Sequence, residues 1–244
     1  MGYRGSIVPK DQWYQAPARA HTAKGDDRHE GNNAEAQRMT TRLRAVACLL
    51  ATAAAAPAWA AGPLGIDHRL AFDESGIWSR SNQKAVQGLS ALTVLGGALW
   101  EGNDTRLGRT FWKASEAMVV ADVAAEVLKR TTGRPRPIEI NDPDLWRQGS
   151  QYRSFPSGEV THITAIVTPF IAEYAHDTPA VWGLAALPLY VGAARLKGQA
   201  HWQTDVLAGA ALGAGVGYYE AGRDSAWTGA VLPRGVTVGF KTHF

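Results

Sequence analysis

The sequence predicts an all-α fold, a helical bundle of about five to six core helices with a short strand-like tail. Three observations lead to it. Apolar runs of helical length recur at about 82–100, 110–130, 158–175, 179–195 and 202–220, separated by Gly, Pro, Asn and Asp clusters. With 244 residues, 45% of them hydrophobic and 19% charged, the chain can bury one substantial core. Strand-like alternation is confined to the end, where Val236, Val238, Phe240, Thr242 and Phe244 alternate with small or polar residues.

Residues 1–38 are polar, dense in charge and without apolar periodicity, which reads either as a disordered extension or as a start assigned too early. Residues 39–60 read as a signal peptide. A basic stretch from Met39 to Arg44 leads into an apolar run from Ala45 to Ala56, and Ala58-Trp59-Ala60 supplies the small residues a signal peptidase reads. The apolar part is too short to span a bilayer comfortably, so cleavage after Ala60 and a periplasmic mature chain are expected. The only cysteine, Cys48, falls inside this signal, so the mature chain would hold neither disulfide nor thiol chemistry. A net charge of +3 from scattered basic residues excludes a nucleic-acid stripe.

Residues 61–244 are expected to form one domain with its core over 82–220. Asp104 to Gly108 is a turn between the first two helices. Gly133 to Ser154, with three prolines before Asp144, is a long irregular connection of the kind that often carries function. The tail strand needs a partner segment to satisfy its edges. Between charges the longest apolar runs are Ala85–Trp100 (16 residues), Thr178–Ala194 (17) and Val206–Tyr219 (14). All fall short of the roughly 20 residues a spanning helix needs. Lys113, Glu116, Asp122 and Glu126 on the second helix also favour a soluble or membrane-apposed bundle over a multi-spanning one.

Three stretches concentrate chemistry. Lys129-Arg-Thr-Thr-Gly-Arg-Pro-Arg-Pro137 offers four cations, Lys129, Arg130, Arg134 and Arg136, at a helix end. Guanidinium forks match phosphate oxygens, although cations at a helix C-terminus also serve as plain caps. Pro156-Ser157-Gly158 precedes a helix, where Ser157 suits an N-cap and the amides of the first turn suit an anion. In the third stretch, Arg195 is followed by His201 and Asp205, four residues apart on one helical face. A carboxylate that fixes one ring nitrogen makes the other a better base or nucleophile.

Together, Lys129, Arg136 and Pro137, then Pro156, Ser157 and Gly158, then Arg195, His201 and Asp205 resemble the three-part signature of the type 2 phosphatidic acid phosphatases. That family shares its helical core and site with bacterial acid phosphatases and vanadium haloperoxidases. The resemblance covers roughly residues 82–220. It implies that Lys129, Arg136 and Arg195 clamp the phosphate with the amides of Ser157 and Gly158. His201 would form a phosphohistidine while Asp205 holds its ring, with no metal and no cofactor. The expected function is therefore an exported phosphatase acting on a mono- or diphosphate ester, of a lipid or of a small molecule, with a membrane surface as a further partner. A broad-specificity soluble acid phosphatase, a haloperoxidase and a phosphate-binding protein with impaired turnover remain as alternatives.

Two positions depart from the signature. Ala194 stands where the family usually has Ser, and Glu159 stands where it has the histidine that protonates the leaving oxygen. Three roles are open at this point. Glu159 is itself the general acid; His162, one helical turn on, is the acid; or Glu159 anchors a clamp cation and the leaving group needs little protonation.

Overall fold

The computed structural model describes residues 62–232 and 235–240. The N-terminal extension, the expected signal with Cys48, and the tail positions Thr242 and Phe244 lie outside the described residues. Among the described residues five α-helices follow in order: α1 Arg80–Glu101, α2 Arg106–Thr132, α3 Gly158–Tyr174, α4 Ala186–Lys197 and α5 Gln203–Ala221. Their ends follow local chemistry. The Ser79 and Thr105 hydroxyls accept from the amides of Asn82 and Gly108 to open α1 and α2. Gly133, left-handed at φ 52°, closes α2 and starts the irregular connection.

The fourth expected helix, 179–195, is two pieces: a 3-10 stretch Pro179–Ala185 and then α4. Pro188 accounts for the break. Deep inside one continuous helix it would delete the bond to Leu184, whereas in the first turn of a new helix its missing amide costs nothing.

α3 is the central element. Its Val160, Ile163, Ile166 and Val167 pack with Val94 of α1, Ala114 and Met118 of α2 and Val191 of α4. A second cluster joins Ala117, Ala121, Ala125 and Leu128 of α2 to Ala165 of α3 and to Leu212 and Val216 of α5. The tightest approach is between α3 and α5, where Gly209 and Gly213 share one face of α5. A β-carbon at Gly209 would lie 2.5 Å from the Ser157 carbonyl oxygen, and one at Gly213 would lie 2.4 Å from that of Thr161. This glycine seam presses the start of α3 against the start of α5, and those are the two segments that carry Gly158 and Asp205.

The strand expected at the tail is one half of a hairpin. β1, Trp227–Leu232, pairs antiparallel with β2, Gly235–Phe240, in a register that sets Trp227 opposite Phe240. Their rings meet edge to face at 5.0 Å, and the Asn103 side chain donates to the Trp227 carbonyl at 3.2 Å. β1 escaped sequence reading because Trp-Thr-Gly-Ala-Val-Leu does not alternate. Among the described residues one helical stretch, Pro179–Lys197, is long and apolar enough to cross a membrane, with 19 residues at a mean hydropathy of 1.2. It is longer than the charge-free run Thr178–Ala194 because helical geometry continues through Arg195 to Lys197.

Residues 62–79, ahead of α1, strap across the end of the bundle where α2 finishes and α3 and α5 begin. The Gly62 amide donates to the Asp144 carboxylate at 2.8 Å, the Asp73 amide to the Lys197 carbonyl at 3.0 Å, and the Arg69 side chain to Gln199 at 2.8 Å.

Candidate active site

The end of α2, the start of α3, the end of α4 and the turn before α5 converge on one cleft of about 500 Å³. Lys129, Arg136, Gly158, Glu159, Arg195 and His201 all line it, so six of the nine residues given a catalytic or phosphate-binding role above meet there. Ser157, His162 and Asp205 stand behind the wall.

His201 is buried, and its Nδ1 lies 2.7 Å from the carbonyl oxygen of Ser154. A carbonyl only accepts, so Nδ1 carries the hydrogen and Nε2 keeps the lone pair. Burial, then the charges of Lys129, Arg195 and Arg136, hold the ring well below its ordinary pKa. At neutral pH it is an uncharged imidazole with a free nucleophilic nitrogen.

Asp205 does not hold the ring directly: its Oδ2 lies 3.9 Å from Nδ1, beyond hydrogen-bond range. Instead Oδ2 accepts from the Ser154 hydroxyl at 2.6 Å and the Trp202 amide at 2.8 Å, while Oδ1 accepts from Arg134 at 2.7 Å. Asp205 therefore acts on His201 through Ser154, whose hydroxyl it fixes and whose carbonyl orients the imidazole. The connection before α3 delivers Ser154 to this position, an intervention that helical spacing alone does not reveal.

The cations separate into different duties. Arg134, one of the four cations of the first stretch, has no solvent exposure and bridges Asp205 to Asp67 of the strap, which it meets at 2.6 Å. Its guanidinium also donates to Thr204 Oγ1 at 2.9 Å and the Pro143 carbonyl at 2.6 Å, and it sits 4.4 Å from the centre of the Trp146 ring. Asp67 in turn accepts from the Thr204 amide at 2.8 Å and hydroxyl at 2.6 Å, tying down the first turn of α5. Arg130 is exposed and pairs with Glu126 at 2.8 Å. That leaves Lys129, Arg136 and Arg195 facing the cleft beside His201.

Lys129 donates to the carbonyls of Pro156 at 2.8 Å and Arg153 at 3.3 Å, and a β-carbon on Gly158 would lie 3.1 Å from its Cε. The glycine thus leaves room for the lysine. Burial, followed by the charge of Arg136 with smaller contributions from Arg153 and Arg195, pulls the Lys129 amine down to about 8, against the opposing pull of Asp205. The ammonium is present below that pH and lost above it. We expect kcat/KM for a phosphate ester to fall as pH rises through about 8, and Lys129→Arg to move that fall to higher pH, as a pH–rate series of both proteins will read.

Ser157 departs from its expected part. Its amide donates to the Asp205 carbonyl at 2.9 Å and its hydroxyl is buried without a partner and makes no cap bond, so its role is to join α3 to α5. Glu159 is gripped by the Arg80 fork, which donates to both carboxylate oxygens, and its Oε2 lies 3.4 Å from Arg195 Nε. Burial favours the protonated acid here, but the Arg80 hydrogen bonds and the charges of Arg195, Arg80 and Lys129 outweigh it. The Glu159 carboxyl consequently sits below its ordinary pKa. Gln83 completes the grip: its Oε1 accepts from Arg195 at 2.8 Å and from Arg80 at 3.0 Å. His162 does not itself line the cleft: its Nδ1 lies 2.8 Å from Oδ2 of Asp122, which does. Asp67, Arg80, Gln83 and Ser154 were not foreseen, and only the Arg80–Gln83 spacing on one helical face left a trace in the sequence.

Comparisons with known proteins agree with this geometry. Residues 110–222 match the model of the PAP2 superfamily. The chain is also 31% identical over 102 residues to a lipid A 1-phosphatase of Rhizobium johnstonii, an alignment covering 40% of this chain and 41% of that relative. The chain thus aligns with less than half of that relative's length. No solved structure gives a significant match. Residues 110–222, from within α2 to the end of α5, are thus similar to the PAP2 superfamily, in line with the resemblance that the three motifs carry.

Proposed function

We propose that the protein is an exported lipid phosphatase that works through a phosphohistidine at His201 without metal. The carrying observation is an uncharged imidazole, fixed at Nδ1 by Ser154, that shares its cleft with Lys129, Arg136 and Arg195. In this reading Nε2 attacks phosphorus in line, a P–N bond forms, the P–O bond to the alcohol breaks, and the departing oxygen takes its proton from water. The three cations and the start of α3 balance the charge on the transferring group. Water then attacks the phosphohistidine, releases phosphate and returns neutral His201.

Glu159 serves here as an anchor. Ionised and forked to Arg80, it holds Arg195 in the clamp and has no proton to give. Glu159→Gln is expected to reduce hydrolysis of an alkyl phosphate and of an aryl phosphate by similar factors. A loss confined to the alkyl ester, whose leaving oxygen needs a proton, would restore Glu159 as the general acid.

The lipid part of the reading rests on the named relative and on apolar surface. α1 exposes Leu89, Leu92 and Leu95, α2 exposes Val119, Val123 and Val127, and Trp182 and Leu189 stand exposed around the start of α4. Repeated at helical spacing on elements that also line the cleft, they suit a protein apposed to a membrane that supplies its substrate. The test is expression of the full chain followed by fractionation. The account expects membrane-associated periplasmic protein beginning at Ala61 that releases phosphate from lipid phosphates in the presence of chelator. Cytoplasmic protein with an intact N-terminus would overturn the export reading, and release that requires an added metal would overturn the metal-free one.

A further inference from the structure

Within the phosphatase reading, on which this inference rests, one residue of the turn that delivers His201 breaks a local rule. α4 ends in a Schellman arrangement: the Gln199 amide donates to the Leu196 carbonyl and the Ala200 amide to the Arg195 carbonyl, both at 3.1 Å. The left-handed position of that motif, which glycine usually fills, is held by Gln199 at φ 48°. A glycine stands one residue earlier, but Gly198 has φ −77° and does not take that place. Backbone geometry alone disfavours a glutamine at 199, so the reason for it lies in the side chain.

That side chain is buried, and both of its polar atoms are used by the strap. Oε1 accepts from Arg69 Nε at 2.8 Å, and Nε2 donates to the Leu70 carbonyl at 2.6 Å. The strap runs antiparallel beside the turn and meets it at further points. The Asp73 amide donates to the Lys197 carbonyl at 3.0 Å, the His68 backbone exchanges two bonds of 3.0 Å with the Gln203 side chain, and Asp67 accepts from the Thr204 amide at 2.8 Å. Gln199 also reaches the clamp: its carbonyl accepts from the Ile138 amide at 3.0 Å, two residues beyond Arg136.

The turn from Arg195 to His201 thus carries a clamp cation at one end and the nucleophile at the other, and Gln199 joins it to the strap and to the Arg136 loop. In-line transfer depends on the aim of Nε2 at a phosphorus held by Arg136 and Arg195. A displacement of about 1 Å lowers such a rate by on the order of 10²-fold. We propose that Gln199 is a positioning residue for phosphoryl transfer, which locks the turn onto the strap and so fixes His201 relative to the clamp. Gln199 does not line the cleft, and it acts through His201 without touching the substrate.

The test measures kcat, KM and Tm of the full chain in detergent, with p-nitrophenyl phosphate and dioctanoyl phosphatidic acid as substrates. Gln199→Gly suits the left-handed backbone and removes only the side chain, so relief of strain offsets the two lost bonds and Tm should stay within a few degrees of wild type. A purely structural residue would then leave turnover unchanged. The account expects kcat to fall about 10- to 100-fold on both esters with KM within a few-fold. Vanadate, whose five-coordinate form resembles the in-line transfer, should lose inhibition by a similar factor, while inhibition by inorganic phosphate holds. Arg69→Ala, which leaves the turn's own residues intact, should lower kcat in the same direction, and Arg69→Lys, which keeps a donor for Oε1, should recover most of that loss. Wild-type kcat in Gln199→Gly, or in Arg69→Ala should the first variant not fold, would overturn the assignment while leaving the phosphatase standing. So would equal losses of kcat, phosphate inhibition and stability. Release from neither ester by wild type, nor from any other phosphate ester, would overturn the phosphatase reading itself.

Discussion

Replacing His201 with alanine is expected to lower kcat by on the order of 10⁴-fold or more with the fold intact, because it removes the atom proposed to accept the phosphoryl group. The clamp survives this change. Lys129 keeps its bonds to the Pro156 and Arg153 carbonyls, and Arg195 keeps Gln83 and Glu159. Substrate should therefore still bind, with KM within a few-fold of wild type. Structurally the variant loses the bond to the Ser154 carbonyl and part of a buried ring, a cost of about 1–3 kcal/mol that the domain should tolerate. Phosphate release and thermal unfolding of the same preparation separate the two effects. Retention of more than a few per cent of turnover would mean that another group attacks phosphorus.

Arg134→Ala is expected to act in the opposite way, on the fold first. Its guanidinium is the only cation among the described residues that meets both Asp67 and Asp205, and none of the three side chains is exposed. Truncation leaves two carboxylates buried without their counter-charge and opens space beside the rings of Trp146 and Trp202. Breaking one buried ion pair costs about 3–5 kcal/mol, and two are broken here. Much of a domain's net stability would be gone. Urea unfolding should show a large fall in midpoint, and the folded remainder should be impaired because Asp205 no longer fixes Ser154. A variant with wild-type stability would show that the Asp67–Arg134–Asp205 chain is incidental.

The contrast between these residues shows what the sequence could reveal. Helices were legible because apolar periodicity, Gly and Pro breaks and capping hydroxyls are local, and α1, α2, α3 and α5 begin and end within a few residues of the expected places. The cleft was legible because Lys129, Arg136, Gly158, Arg195 and His201 fall in three motifs with fixed spacing. What stayed hidden depends on contacts across long separations. The bond from Asp67 to Arg134 spans 67 residues, and that from Ser154 to His201 spans 47. Arg134 and Arg136, two residues apart and identical in kind, divide into a buried brace and a cleft cation through the path of a proline-rich connection. Glu159 could not be assigned from its own chemistry, since its state depends on Arg80, 79 residues away.

The measurement that tests the central claim most directly is the stereochemical course at phosphorus. The protein would hydrolyse, in ¹⁷O-enriched water, a lipid thiophosphate ester made chiral at phosphorus by ¹⁸O, and the configuration of the released inorganic thiophosphate would be read. Each in-line displacement inverts the centre, so attack by His201 followed by water predicts net retention. Net inversion would mean that water attacks the ester directly and that His201 is not the nucleophile.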